Sequence, residues 1–290
     1  MVTQQKDPLG QQAKMLFGNM PRDGGHLFLD NEIAKDLKND PLASQFVKKF
    51  VGSEELINGK HRFCLWIDDQ HKNDVLKNKI ISNRLKLVKE EREKSKAKST
   101  KDFALMPHRF VQIAGKAENS CIVVPRVSSE NRDYLPVNYL NDKYIIGDRN
   151  FSLYDAPLWN MALIASRLHW VWIGTVCVRL RTDFSYSNTL GWNTFPVPNL
   201  TEKNKMDLVR CAEEILLARE THFPATIADL YKREDMPDNL RLAHKKNDEI
   251  LERIYIGRQF KNDTERLEKL FDLYTKMTSL DNKKTKMEKA

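Results

Sequence analysis

Two short stretches hold the side chains best suited to recognising a polyanion. In "VPRVSSENRDY", Arg126, Ser128, Ser129, Asn131 and Arg132 follow directly on an apolar run; in "RLRTDFSYSNTLGWN", Arg179, Arg181, Tyr186, Ser187, Asn188 and Asn193 follow another. Guanidinium forks match phosphate oxygens or the acceptor edge of guanine, amides match adenine, and hydroxyls match phosphate. A plainer reading is equally open on residue types alone. Ser and Asn readily make local turns, and the arginines have Asp133 and Asp183 nearby as ion-pair partners.

Catalytic patterns are missing. The chain has no Gly-rich phosphate or dinucleotide loop, no H-E-x-x-H, no G-x-S-x-G and no Cys/His zinc spacing. The adjacent carboxylates Asp68–Asp69 and Glu54–Glu55 sit in polar, turn-like sequence and read as solvated. His169 lies in a strongly apolar stretch, where a core imidazole is the expected role. Trp159, Trp170, Trp172 and Phe184 likewise read as core rather than as a base-stacking platform. The run Lys86 to Lys101 is interrupted by Glu90, Glu91 and Glu93 and reads as a solvated helix end. Enzymatic chemistry needs a constellation of groups, and none is visible; a site assembled from distant residues stays open.

The composition fits a binding protein. The 290 residues carry 48 Lys and Arg against 40 Asp and Glu, a net charge of +8, which favours acidic partners without identifying one. No run approaches the ~18 apolar residues of a membrane span, and the start "MVTQQKDPLGQQAK" lacks a signal core. That start reads as the edge of an excised fragment. Cys64, Cys121, Cys177 and Cys211 lie far apart without paired spacing, as expected of reduced thiols in a cytoplasmic protein.

The elements that must position the two stretches follow from periodicity. "GNMPRDGGHLFLD" reads as a turn into a strand, followed by helices over Glu32–Lys38 and Leu42–Val51. Asn58-Gly59 reads as a hairpin turn ahead of the strand "RFCLWI". Asp74 to Lys98 reads as one long surface helix. Between Arg109 and Tyr154, "RFVQIAG", "NSCIVVPRV", "YLPVNYL", "KYIIGD" and "FSLYD" read as short strands. "APLWNMALIASRLHWVWIGTVCVRL" reads as a single buried helix with Pro157 in its first turn. Thr201 should cap a helix reaching Arg219, and two more fit Asn239–Tyr255 and Asp263–Met277. The expected fold is α+β: a mixed twisted sheet with packed helices over 1–198, then an all-helical unit over 199–290 with a frayed "DNKKTKMEKA" end.

The segments "FGNMPRDGGHLFL", "FVKKFVGSEELINGKHRFCLWI", "VPRVSSENRDYLPV", "RLRTDFSYSNTLGWNTFPVP", "ATIADLYKREDMPDNLRLAHKKND" and "FKNDTERLEKLFDLY" resemble, in this order, the C-terminal half of MmeI-like restriction-modification enzymes and related stand-alone DNA methyltransferases. The likeness runs from about Phe17 to Tyr274. In that family a methyltransferase domain moves a methyl group from S-adenosylmethionine to the exocyclic amine of adenine. A target-recognition domain and a helical tail follow it.

The resemblance implies that this chain corresponds to the last two parts only. The family's Asn-Pro-Pro-aromatic motif, its glycine-bearing cofactor loop and its acidic nuclease cluster have no counterpart, and "NTFP" does not replace them. A fragment that neither methylates nor cuts is therefore expected, with no cofactor of its own. Its partners would be double-stranded DNA and the methyltransferase domain of the same parent chain, which flips its target adenine out of the stack. The implied DNA-facing set is Arg126, Ser128, Ser129 and Arg132 in one loop and Arg179, Arg181, Tyr186, Ser187 and Asn188 in the other, with Lys60 as a phosphate contact. Two alternatives remain: a free-standing specificity subunit, and a helical protein-interaction module whose basic charge is incidental.

Overall fold

The computed structural model describes the backbone of residues 1–287 and side chains through residue 279. Strands β1 to β11 run over Leu16–Phe17, Phe28–Leu29, Val47–Val51, Arg62–Leu65, Ser120–Pro125, Val127–Ser128, Asn138–Asn141, Tyr144–Ile146, Asn150–Tyr154, Arg179–Leu180 and Asp183–Ser185. Helices α1 to α10 span Asn31–Asn39, Ser53–Asn58, Lys79–Glu93, Lys98–Asp102, Trp159–Ile164, Arg167–Val176, Glu202–Glu220, Ile227–Leu230, Asp238–Ile256 and Asp263–Met287. The α+β class is as expected. The contacts gather into two compact units: Phe17–Asn119 with Leu140–Asn150, and Met1–Leu16 with Ser120–Tyr139 and everything from Phe151 onward.

The Phe17–Asn119 unit is built on the sheet order β2-β4-β3-β8, antiparallel except for the parallel pair β3–β8. The expected helix over Leu42–Val51 is instead a single 3-10 turn and strand β3. Phe46, Val47 and Phe50 are buried as anticipated, but pairing of β3 with β4 on one side and β8 on the other satisfies its backbone. Tertiary pairing of this kind overrides a spacing compatible with either structure. Asn58-Gly59 makes no hairpin turn either. It closes α2, with Gly59 at φ 64, the left-handed conformation that ends helices. The long helix begins late, at Lys79, because Asn78 caps it by accepting from the amides of Ile80 and Ile81 at 3.0 and 3.1 Å. "RFVQIAG" contributes only an isolated bridge, Gln112 to Met20.

Arg92, inside the lysine-rich run, is fully buried. It donates to the carbonyls of Pro21, Arg22, Phe103, Met106 and Arg109 at 2.7–3.0 Å. Burial lowers its pKa to about 10, with Asp23 opposing. That segment is thus a structural hub on one face, where the sequence suggested only a solvated end.

The second unit carries two sheets, ordered β1-β9-β5-β7 and β10-β11-β6. The apolar run after Pro157 is broken into α5 and α6, because Ser166 leaves helical geometry and its Oγ accepts from the amide of His169 at 3.1 Å. Trp172 of α6 packs against Phe271 and Tyr274 of α10, with ring centroids 5.2 and 5.9 Å apart. Thr201 and Asn204 form the capping box of α7. Helix α10 continues to Met287, past the expected end; the side chains of "DNKKTKMEKA" lie outside the described residues. The four cysteines are free and buried. Among the described residues no helix is long and apolar enough to cross a membrane.

Candidate nucleic-acid interface

The two arginine-bearing stretches meet in one small sheet. Strand β11 pairs antiparallel with β10 on one side and β6 on the other, so that Phe184 lies opposite both Arg179 and Ser128. The amide of Tyr186 donates to the carbonyl of Arg126 at 2.8 Å and continues the ladder. Phe184 is the keel of this sheet: it is buried, its ring meets Trp170 edge-on at 4.8 Å, and the Arg179 guanidinium lies 4.7 Å over it.

The outer surface is exposed. Val127, Val178 and Leu180 are 45%, 70% and 63% accessible, and Arg179 and Arg181 are exposed. Arg181 and Thr182 make the two-residue turn between β10 and β11, with Arg181 at φ 59. This left-handed position favours glycine in a hairpin, yet an arginine occupies it. The Nη1 of Arg179 donates to Oε2 of Glu130 at 2.7 Å, an ion pair whose side chains are 48% and 36% exposed. Arg126 lies with its guanidinium 5.8 Å from the Phe151 ring centroid.

Other members of the expected set turn inward or are held by local partners. Tyr186 is buried, with its hydroxyl 3.0 Å from Nε2 of His169. Burial raises its pKa well above the ordinary phenol range and pulls that of His169 down to about 3. Ser128 is buried beneath the sheet and accepts from Nη1 of Arg132 at 3.1 Å. Burial also lowers the Arg132 pKa, with Asp183 and Tyr231 opposing.

Ser187 caps the π-helical turn Asn188–Trp192, accepting from the amide of Leu190 at 3.3 Å, and Asn188 donates to the carbonyl of Met15 at 3.0 Å. Ser129 accepts from the amide of Asn131 at 3.3 Å and stays half-buried. Lys60 belongs to the other unit and is paired with Glu54 at 2.7 Å.

Sequence reasoning missed three groups. Glu130 was in plain view within "SSENRDY", but nothing in a linear reading joins it to Arg179. Asp133 is held by Arg233 at 2.8 Å and Arg241 at 3.4 Å, not by the loop arginines. Those two arginines lie in the helical part of the chain, and no local signal ties them to Asp133. Among the described residues no group of His, Cys, Asp and Glu is placed to hold a metal ion.

Residues 1–199 match the family model described as "MmeI, target recognition domain", and residues 200–280 match "MmeI, C-terminal domain". "DNA methyltransferase A" of Bacillus subtilis (strain 168) is 39% identical over 279 residues, covering 96% of this chain and 32% of that protein. A solved structure of the Type IIL restriction-modification enzyme MmeI in complex with DNA superposes with a TM-score of 0.89 at 30% identity, covering 96% of this chain and 37% of that one. The chain thus spans about a third of the length of these relatives. It belongs to the MmeI target recognition domain family, with an MmeI C-terminal domain following in the same chain.

Proposed function

We propose that this chain is the sequence-reading part of a longer DNA adenine methyltransferase or restriction-modification enzyme, and that it reads duplex DNA with the β6–β11–β10 surface. The observation that carries this reading is the pairing of β11 with both β6 and β10, which brings the half-buried Arg126 and Glu130 into one small sheet with the exposed Arg179 and Arg181. A rigid sheet carrying guanidinium groups at a protruding turn suits entry into a DNA groove. Arg179 and Arg181 are the base-reading candidates, a bidentate guanine contact being worth roughly 1–3 kcal/mol of discrimination. Arg126, Ser129 and Lys60 suit phosphate contacts. Tyr186, Ser128, Arg132, Ser187 and Asn188 shape the surface from beneath.

In this reading residues 1–198 recognise DNA and 199–290 support them, while methyl transfer and its S-adenosylmethionine belong to the methyltransferase domain of the same parent chain. Gly18 and Gly147 abut the Gly147 carbonyl and the Phe50 ring, so their close approaches serve internal packing. The chain contributes specificity, not chemistry.

The test is Arg126→Ala, Arg179→Ala and Arg181→Ala, each in the full-length parent. Site-specific methylation should fall in each while the melting temperature holds. Unchanged methylation in all three would refute the assignment.

A further inference from the structure

The loop that follows β6 is held from behind by the helical part of the chain. Arg233, in the segment after α8, donates through Nε to Oδ1 of Asp133 at 2.8 Å and through Nη2 to the carbonyls of Glu130 and Arg132 at 3.3 and 3.4 Å. Arg241 of α9 donates to Oδ2 of Asp133 at 3.4 Å and to the carbonyl of Arg233 at 2.9 Å. Arg167 of α6 reaches the carbonyl of Asp133 at 3.2 Å.

The next residues are anchored as well. Tyr134 stacks on His244 at 4.2 Å and donates to Asp248, both on α9, and the carbonyl of Val137 accepts from Arg219 at the end of α7 at 2.7 Å. Residues 130–137 thus spend carbonyls, a carboxylate and a phenol on the helices, while the Glu130 carboxylate stays outside, on Arg179.

Resting on the DNA-reading function proposed above, we infer that Arg233, seconded by Arg241, is a positioning residue for base recognition. It acts through Asp133 and the two carbonyls to fix where Glu130 stands and hence where Arg179 points. Recognition energy depends on groups already held in the binding geometry, because a loop that must be ordered on binding gives up affinity for the matched sequence. Asp133 is the fulcrum. Its side chain is 27% exposed and its two oxygens are taken by two arginines, so a single carboxylate ties the loop to both the α8–α9 segment and α9. The helical C-terminal part is on this view a brace for the reading loop.

The experiment selects bound duplexes from a random-sequence pool with the full-length parent and with its Arg233→Ala, Asp133→Ala and double variants, alongside thermal melts and salt titrations. Arg233→Ala should reduce enrichment of the wild-type motif about three- to tenfold. Asp133→Ala, which also releases Arg241, should lose at least as much, and the double variant should fall well short of the sum of the two losses, as expected of residues acting in one unit. The slope of log affinity against log salt should not change, because Arg233 touches no phosphate in this role.

A slope that drops by about one makes Arg233 a direct DNA contact and overturns the inference, as does wild-type enrichment in Arg233→Ala. Additive loss in the double variant overturns it too. If Arg233→Ala fails to fold, Arg233→Lys takes its place: it keeps the charge on Asp133, cannot also hold both carbonyls, and should show a partial loss. If the wild-type chain enriches no motif, the DNA-reading function itself fails; if it enriches one and Arg233→Ala equals it, only the bracing role falls.

Discussion

Arg179 and Glu130 are joined across the small sheet: Nη1 on β10 donates to Oε2 in the loop after β6 at 2.7 Å, and the same guanidinium lies 4.7 Å over Phe184 on the strand between them. A half-exposed pair of this kind contributes only ~0–1 kcal/mol to stability. Its consequence is positional, since it sets a guanidinium and a carboxylate side by side at an exposed edge. A guanidinium suits guanine O6 and N7, and a carboxylate suits the cytosine amine.

Glu130→Gln should therefore change base preference at one position of the recognised site rather than weaken all sequences alike. The expected size is ~1–3 kcal/mol, the range for a direct base contact, with a stability change below ~1 kcal/mol. Selection from a random duplex pool reads the first and a melt reads the second. A uniform loss across sequences would assign Glu130 a purely structural role.

Arg181→Gly separates folding from function. The arginine sits at φ 59, a conformation that glycine adopts without cost, so the variant should be more stable by about 1 kcal/mol. It also removes an exposed guanidinium, so duplex affinity should fall. A variant that is more stable and binds equally well would remove Arg181 from the reading set.

Tyr186→Phe should do the opposite. The lost hydroxyl leaves Nε2 of His169 without its partner in a buried site, costing ~1–3 kcal/mol. The DNA motif selected should be unchanged, because the ring still packs and no exposed group is altered. A changed motif would return Tyr186 to the DNA-facing set.

Stability should rise with pH across mildly acidic conditions. Burial, with Arg219 adding to it at His244, pulls His169 and His244 down to about 3, whereas unfolded imidazoles protonate near ~6.5. Between those values the unfolded chain binds the extra protons, so stability falls as pH drops below ~6.5. Asp248 runs the other way: burial raises it to about 7, so its contribution is present at low pH and is lost as pH climbs from ~4 through 7. Together the three leave about one net proton taken up on unfolding near pH ~5, a slope of ~1.4 kcal/mol per pH unit that shrinks toward pH ~6.5. Urea titrations at several pH values measure it, and Asp248→Asn should steepen it. A flat profile would contradict the assignment.

Elements whose determinants are local were legible in the sequence. Thr201 with Asn204 starts α7, and apolar residues at helical intervals carry α7 and α9. What depended on distant pairing was not. Val47–Val51 is a strand because β4 and β8 flank it, and the run after Pro157 breaks at Ser166 because a single hydroxyl finds a better use as a cap. The same limit governs the site. Arg126, Arg179 and Arg181 stand out as candidates by residue type alone, but the inward turn of Tyr186 is decided by His169, and the grip on Asp133 by Arg233 and Arg241 far along the chain.

A salt titration of duplex DNA affinity tests the central claim most directly. With several arginines and lysines on phosphates, log affinity should fall linearly with log salt, at nearly one unit of slope per contact, and Arg126→Ala should reduce that slope by about one. Affinity that is indifferent to salt, or absent for duplexes of every sequence, would contradict a DNA-reading surface on this chain.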